Sequence, residues 1–326
     1  MQSGDETQLK SRFTEALKKQ GQFVLLNTRR EKLAHSPVRT IASAILRRII
    51  YALVNLKILH DTIWAKAFWG EKILMPTRYA YPILEKGFFE GEEARLTAFI
   101  LKTVKPGDVF IDGGAFVGWY TLIASKLVGS GGSVHSFEPT PRNFRILAEN
   151  TKRLANVFIN KEALWDKNEG VEFHDFGEKL DVSNTVLEDK TRVDYYDVLF
   201  TKNKEYKSIK TEAISLDSYC ARLEIKPTFI KLDCEGAEYE IILGSKEILR
   251  YRPILAIEIL RHSEQGGMRP RLIETMRQLS YSPYVINDDF SLKPLDPKLS
   301  REVLNAIFLP DSMKLSEFQP DKPSAE

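Results

Sequence analysis

The stretch Val109-Phe110-Ile111-Asp112-Gly113-Gly114-Ala115-Phe116-Val117-Gly118 puts an apolar, β-branched run ahead of an acid and two glycines. A third glycine, Gly118, opens a helical pattern from Trp119 to Leu127. A buried strand, a tight glycine turn and a helix N-terminus are the parts from which nucleotide-like cofactor sites are built. A side chain at such glycines would hold the backbone away from a ligand or force a strained positive φ. The same pattern also describes an ordinary strand-to-helix turn, so the flanking sequence has to decide.

Downstream of Gly118, a second short strand, Val134-His135-Ser136-Phe137, ends in Glu138-Pro139. A carboxylate at the tip of the second strand is where α/β cofactor sites hold a ribose diol, because it can accept two hydroxyl hydrogen bonds. An NAD site uses the same device, but its fingerprint wants glycine where this chain has Ala115. Asp112 just before the turn is also less suited to a pyrophosphate than to a cationic or zwitterionic ligand. S-adenosylmethionine (SAM), with its ammonium and sulfonium, is such a ligand. The residues therefore favour a SAM-dependent transferase over an NAD-dependent oxidoreductase.

The chain is 326 residues long, enough for one large α/β domain with extensions. Its 47 basic and 45 acidic residues nearly cancel, so no general field points to nucleic acid. Cys220 and Cys234 stand apart and the five histidines are scattered, which argues against a structural zinc site. Met1 to Lys10 is polar and lacks the apolar core of a secretory signal, so the expected location is cytoplasmic.

Residues 1–87 read as an N-terminal helical extension and lead-in, 88–310 as the catalytic domain, and 311–326 as a polar, fraying tail. Within the extension, a helix is expected from Thr7 to Gln20. From Val38 to Trp69, apolar residues including Ile41, Ile45, Ile49, Leu56, Leu59 and Ile63 recur at steps of three and four. Charges interrupt the stripe, so it does not span a bilayer. It reads either as a helix packed on the catalytic domain or on a second subunit of a homo-oligomer, or as a basic helix in peripheral membrane contact. Lys72 to Phe89 reads as a strand pair or irregular lead-in, and Glu92 to Val104 as a helix stopped by Lys105-Pro106-Gly107.

Beyond Glu138 come a helix from Arg142 to Leu154, a strand from Val157 to Asn160, and an insertion over residues 170–212 in which Val171 to Phe173 and Ser208 to Ile214 read as strands and Asp181 to Thr185 as a polar loop. A second constellation then appears: Phe229-Ile230-Lys231-Leu232-Asp233-Cys234-Glu235-Gly236-Ala237-Glu238. Its acids fall at the carboxyl end of a strand, where open α/β sheets bind ligands. Glu238 suits the capping of the helix expected from Tyr239 to Leu249. Asp233 and Glu235 either cap as well or do chemistry. In the strand Ile254 to Ile259, Glu258 interrupts an apolar run, an expensive placement unless the acid is paired or at an open end. Asp233 and Glu258 would then face one cleft, with His262 a weaker candidate to join them. Met268 to Leu279 reads as a helix, Tyr284 to Asn287 and Asn305 to Leu309 as strands.

Taken together, Asp112 to Thr121, Phe137-Glu138-Pro139 and Lys231 to Glu238 resemble the FkbM-type SAM-dependent methyltransferases, over about Glu90 to Glu258. The resemblance implies a Rossmann-like class I methyltransferase sheet of seven strands, parallel except for an antiparallel last strand. It implies O-methylation, often of sugar hydroxyls in glycans, glycolipids or natural products. It also implies that Asp112, Gly113, Gly114, Ala115 and Gly118 line the methionine end of SAM, that Glu138 holds the ribose, and that Ala163 and Leu164 lie near the adenine. Phe116 departs from the pattern, which usually has asparagine there. Asp233 is the first choice for a base at the acceptor hydroxyl, Glu235 the second, and Glu258 stands beside them. Magnesium is the less favoured alternative, in which Asp233 and Glu258 would be its ligands. The rival readings are a degenerate SAM-binding homologue serving as an assembly partner, and an NAD-dependent oxidoreductase.

Overall fold

The computed structural model describes residues 3–20, 32, 36–175, 207–259, 268–296 and 305–319. The chain divides into two units, Met1–Thr103 and Val104–Glu326. No helix among the described residues is long and apolar enough to cross a membrane.

In the first unit the elements are α1 (Ser3–Gln20), α2 (Pro37–Asn55), β1 (Thr62–Lys66), β2 (Lys72–Pro76), α3 (Tyr81–Lys86) and α4 (Glu92–Thr103). The apolar stripe of residues 38–69 is therefore helical only as far as Asn55. Beyond it, Thr62, Ile63 and Trp64 prefer a pleated strand, and β1 pairs antiparallel with β2 from Thr62↔Pro76 to Lys66↔Lys72. Phe13 of α1 is buried and meets the rings of Phe68 and Phe88 at 4.8 and 5.4 Å. Buried Lys86 is held by Glu90 at 2.5 Å, so its charge is not left bare in the interior.

The second unit is organised by strands too apolar to leave a face in water, which calls for a parallel sheet covered on both sides. Its elements are β3 (Val109–Gly113), α5 (Trp119–Val128), β4 (Ser133–Phe137), α6 (Pro141–Thr151), β5 (Val157–Asn160), β6 (Ala163–Leu164), β7 (Glu169–Asp175), β8 (Lys207–Ile214), α7 (Leu216–Leu223), β9 (Phe229–Leu232), α8 (Glu238–Leu243), β10 (Ile254–Glu258), α9 (Met268–Gln278), β11 (Tyr281–Ile286), β12 (Leu292–Pro294) and β13 (Asn305–Pro310). The main sheet runs β12-β11-β13-β10-β9-β3-β4-β5. β3, β4, β5, β9 and β10 are mutually parallel, and β13 inserts antiparallel between β10 and β11. This is the Rossmann-like class I methyltransferase sheet with one strand more than expected. The eighth, β12, is a short edge strand antiparallel to β11. The hairpin forms because Asp289 in the intervening turn accepts from the Ser291 N–H at 3.0 Å.

One further boundary differs from the sequence reading, and the strands read at Val171 to Phe173 and Ser208 to Ile214 are present. The helix expected from Tyr239 to Leu249 stops at Leu243, and a separate 3-10 turn covers Ile248–Tyr251. Asp217 caps that turn, accepting from the N–H groups of Glu247 and Ile248 at 3.0 and 2.9 Å. At residues 170–212 the described parts are strands: β8 pairs antiparallel with β7 and parallel with β6 as a separate sheet. The polar loop expected at Asp181 to Thr185 lies outside the described residues. In the tail, Leu315–Phe318 forms a 3-10 turn anchored by the buried ring of Phe318.

Candidate active site

The strand order reverses between β3, whose chain proceeds to β4 and β5, and β9, whose chain proceeds to β10. The carboxyl ends of strands at such a reversal form the crevice where open α/β sheets bind ligands. The Gly113–Gly118 turn, Glu138, Asp233 and Glu258 all stand at these ends.

At the β3 turn the glycines are explained first by packing. A Cβ on Gly114 would stand 1.8 Å from the Asp233 carbonyl oxygen, and its φ is +69°. A Cβ on Gly113 would stand 2.8 Å from Leu232 Cδ2 and 3.0 Å from Leu164 Cδ1, while one on Gly118, at φ +93°, would stand 2.7 Å from Leu147 Cδ1. The Asp233 N–H donates to the Gly113 carbonyl at 3.1 Å. Gly113 and Gly114 thus let the tips of β3 and β9 touch, and Gly118 makes room for α6. The first two bring the cofactor turn and the acidic loop together. Ala115 is buried and donates its N–H to the Phe137 carbonyl at 2.9 Å, which ties the turn to β4 as well.

Asp112 lies in β3 just before the glycine turn. It is fully buried and accepts from Thr121 Oγ1 at 2.6 Å. Its other oxygen lies 3.5 Å from Nζ of Lys231. Burial pushes the Asp112 carboxyl up from its ordinary range, and the Lys231 ammonium opposes that. Lys231 has no role in the sequence reading, yet it is the hub of the site. Its Nζ donates to the Gly114 carbonyl at 3.0 Å, lies 3.5 Å from Asp233 Oδ2, and sits 5.5 Å from the centre of the Tyr120 ring. The signal was available: a lysine inside Phe229-Ile230-Lys231-Leu232 is a charge in a strand buried on both faces, which must find partners.

Glu138 is 5% exposed and accepts from the Phe116 N–H at 2.8 Å through Oε2 and from the Thr140 N–H at 2.9 Å through Oε1. Burial pushes its pKa up to about 7, against the pull of these hydrogen bonds. A carboxylate offers about four acceptor positions; the Thr140 hydroxyl takes a third, and one is left toward a ribose hydroxyl. Phe116 makes its bond from a left-handed conformation, φ 51°, which asparagine adopts more readily than phenylalanine. Ala163 and Leu164 are buried in β6, with Leu164 against Gly113, and form an apolar wall beside the turn. The Glu138 N–H donates to the Asn160 carbonyl at 3.0 Å. From Asn160 a cleft of about 1050 Å³ opens between Phe144, Lys161 and Glu162 on one side and Glu172, Lys210 and Glu212 on the other.

At the β9 tip the acids separate by role. Glu238 is buried and accepts from the N–H groups of Cys234 and Gly236 at 2.7 and 3.1 Å, so it holds the loop ahead of α8 and does not cap the helix's own amides. Asp233 keeps 30% of its side chain exposed, and Glu235 adopts a left-handed φ of 54°. One carboxylate oxygen each from Asp233, Glu235 and Glu258 lie within 4.8 Å of one another. Burial, then the charges of Asp233, Glu235 and Glu238, push the Glu258 carboxyl well above its ordinary value. His262 lies outside the described residues.

The residues present fit SAM: a glycine turn, a ribose acid with a spare acceptor position, and an apolar wall meet at the sheet reversal. Fold and site together define a class I SAM-dependent methyltransferase. The model of the FkbM methyltransferase domain matches residues 112–283, more than half of the chain, and the chain belongs to that family. No curated protein matches it. Similar solved structures include a putative rRNA methylase from Clostridium thermocellum, 12% identical over 68% of this chain and 94% of that one, with a TM-score of 0.39. A SAM-dependent O-methyltransferase from Thermotoga maritima is 13% identical over 77% and 78%, with a TM-score of 0.38. Aeropyrum pernix fibrillarin, solved with natively bound SAM, is 16% identical over 66% and 74%, with a TM-score of 0.34.

Proposed function

We propose that the protein O-methylates a hydroxyl of a sugar, glycan or glycolipid, with Asp233 as the base. The observation that carries this reading is the partly exposed Asp233 carboxylate, with Lys231 Nζ 3.5 Å away on one side and the Glu258 carboxyl within 4.8 Å on the other. A sugar hydroxyl is a weak nucleophile, and a base positioned at it is worth about 10²–10⁴-fold in rate. Sugar acceptors are those the FkbM resemblance most often implies.

SAM, when bound, supplies an electrophilic methyl group. Glu138 would hold a ribose hydroxyl, and Gly113, Gly114, Ala115 and Gly118 would form the turn against its methionine end. Ala163 and Leu164 would wall the adenine, with the cleft beyond Asn160 on that side. Asp112 supports the site from below, by fixing Lys231, and does not touch the ligand. Asp233 takes the acceptor's hydroxyl proton onto a carboxylate oxygen. Glu258 lies beside that carboxylate, with Glu235 at the rim of the same cluster.

Methyl transfer from labelled SAM to a panel of hydroxylated sugars and lipid-linked sugars tests the reading, with and without EDTA. Transfer to a sugar hydroxyl that is indifferent to EDTA is expected. Transfer lost in EDTA and restored by magnesium would reassign Asp233 and Glu258 to a metal ion. SAM binding with no transfer to any hydroxyl would favour the degenerate-homologue reading.

A further inference from the structure

We infer that helix α2 docks the protein on an anionic lipid surface, a reading independent of the acceptor proposed above. The helix is amphipathic in reverse. Its back face meets its own unit: Thr40 and Val54 are buried, Ser43 Oγ lies 3.2 Å from the Tyr81 hydroxyl, and the Arg47 guanidinium sits 5.2 Å from the Tyr81 ring centre. The guanidinium of Arg78 likewise stacks 4.3 Å from the ring centre of Tyr51. The apolar stripe faces outward. Val38, Ile41, Ile45 and Ile49, spaced three and four residues apart, are 80%, 49%, 52% and 49% exposed. Leu56 and Ile58, just past the helix end, are 68% and 65% exposed. Single exposed apolar residues need no explanation, but a continuous row of them marks an interaction surface.

Charge identifies the occupant. From Pro37 to His60 the sequence holds Arg39, Arg47, Arg48, Lys57 and His60 and no aspartate or glutamate. Basic side chains beside an apolar stripe match the headgroup and acyl layers of an anionic bilayer. A second copy of this chain would bring the same cations against one another with no acid from either stripe to pair them. Trp64 on β1, 45% exposed, adds an indole of the kind that settles at membrane–water interfaces. The helix has 19 residues, and their charges keep it on the surface rather than across it.

Co-sedimentation of the full chain with vesicles tests this, using phosphatidylglycerol mixed into phosphatidylcholine against phosphatidylcholine alone. Binding is expected to the anionic vesicles, to fall at high salt, and to weaken by roughly tenfold or more in the surface variant Ile45→Ser/Ile49→Ser. The charge reversal Arg48→Glu/Lys57→Glu should remove the preference for the anionic lipid. An unchanged far-ultraviolet circular dichroism spectrum and unchanged melting of the first unit in both variants confirm that they fold. No binding to anionic vesicles, or binding indifferent to both variants, overturns the inference. So does a dimer seen by light scattering that Ile45→Ser/Ile49→Ser dissolves while vesicle binding is absent, since the stripe would then belong to a second copy.

Discussion

Glu138 shows how one buried carboxyl can report on the cofactor. Its folded pKa, about 7, lies above the ordinary 4.5, so in the free protein its contribution to stability is complete below about 4.5 and is lost as pH rises through 7. A ribose hydroxyl donates a hydrogen bond and prefers the ionised acid, so binding should release a proton and weaken as pH falls below about 7. Glu138→Gln should weaken SAM binding and flatten this dependence. Calorimetric titration at several pH values checks it, and an unchanged dissociation constant in the variant would remove Glu138 from the site. Asp233 is tested on the opposite axis. Asp233→Asn should cut turnover by about 10²–10⁴-fold while leaving SAM affinity nearly intact. Lost affinity with intact turnover would make Asp233 a cofactor residue instead.

Among the elements, β9 carries the greatest stress because it brings a lysine into the middle of a covered sheet. Removing one member of a buried ion pair leaves the other uncompensated, at a cost of about 3–5 kcal/mol. Lys231→Met should therefore destabilise the second unit by that order, and Asp112→Asn on the same background should recover much of it, since an amide can still accept from Thr121. Chemical denaturation of the single and double variants decides. Additive losses would mean that the 3.5 Å approach of Lys231 and Asp112 contributes little coupling. This also marks what the sequence could reveal. Strands β3, β4, β9 and β10 were legible because each is a short apolar run ending in an acid or glycine, and the acids then fell at the open ends of the sheet. Lys231 passed unread because a strand pattern gives polarity but not the partner, which lies on another strand, 119 positions away at Asp112. The glycines were read for the right conformation at Gly114 and Gly118, yet their nearest obstacles are Asp233 and Leu147, contacts that no local spacing contains. The end of α2 was missed because an apolar residue every third or fourth position can continue by chance into a strand such as β1.

For the molecule as a whole, the division into two units bears on how it melts. The first is built on Leu9, Phe13, Phe68 and Phe88, the second on the sheet cluster around Ile230, Leu232, Ile257 and Phe308. Every residue proposed to hold SAM, from Gly113 to Leu164, belongs to the second unit. A ligand that binds only one folded unit stabilises that unit by mass action, about 2.7 kcal/mol at a hundredfold excess over its dissociation constant. Scanning calorimetry should then resolve two transitions, of which SAM raises one and NAD neither. Fluorescence offers a separate assignment, because Trp64 and Trp69 lie in the first unit and Trp119 and Trp165 in the second. Replacing Trp119 and Trp165 by phenylalanine should leave a signal that reports the SAM-insensitive step. A single transition that SAM moves as a whole would show instead that the two units unfold as one cooperative body. Movement with NAD and not SAM would overturn the cofactor assignment itself.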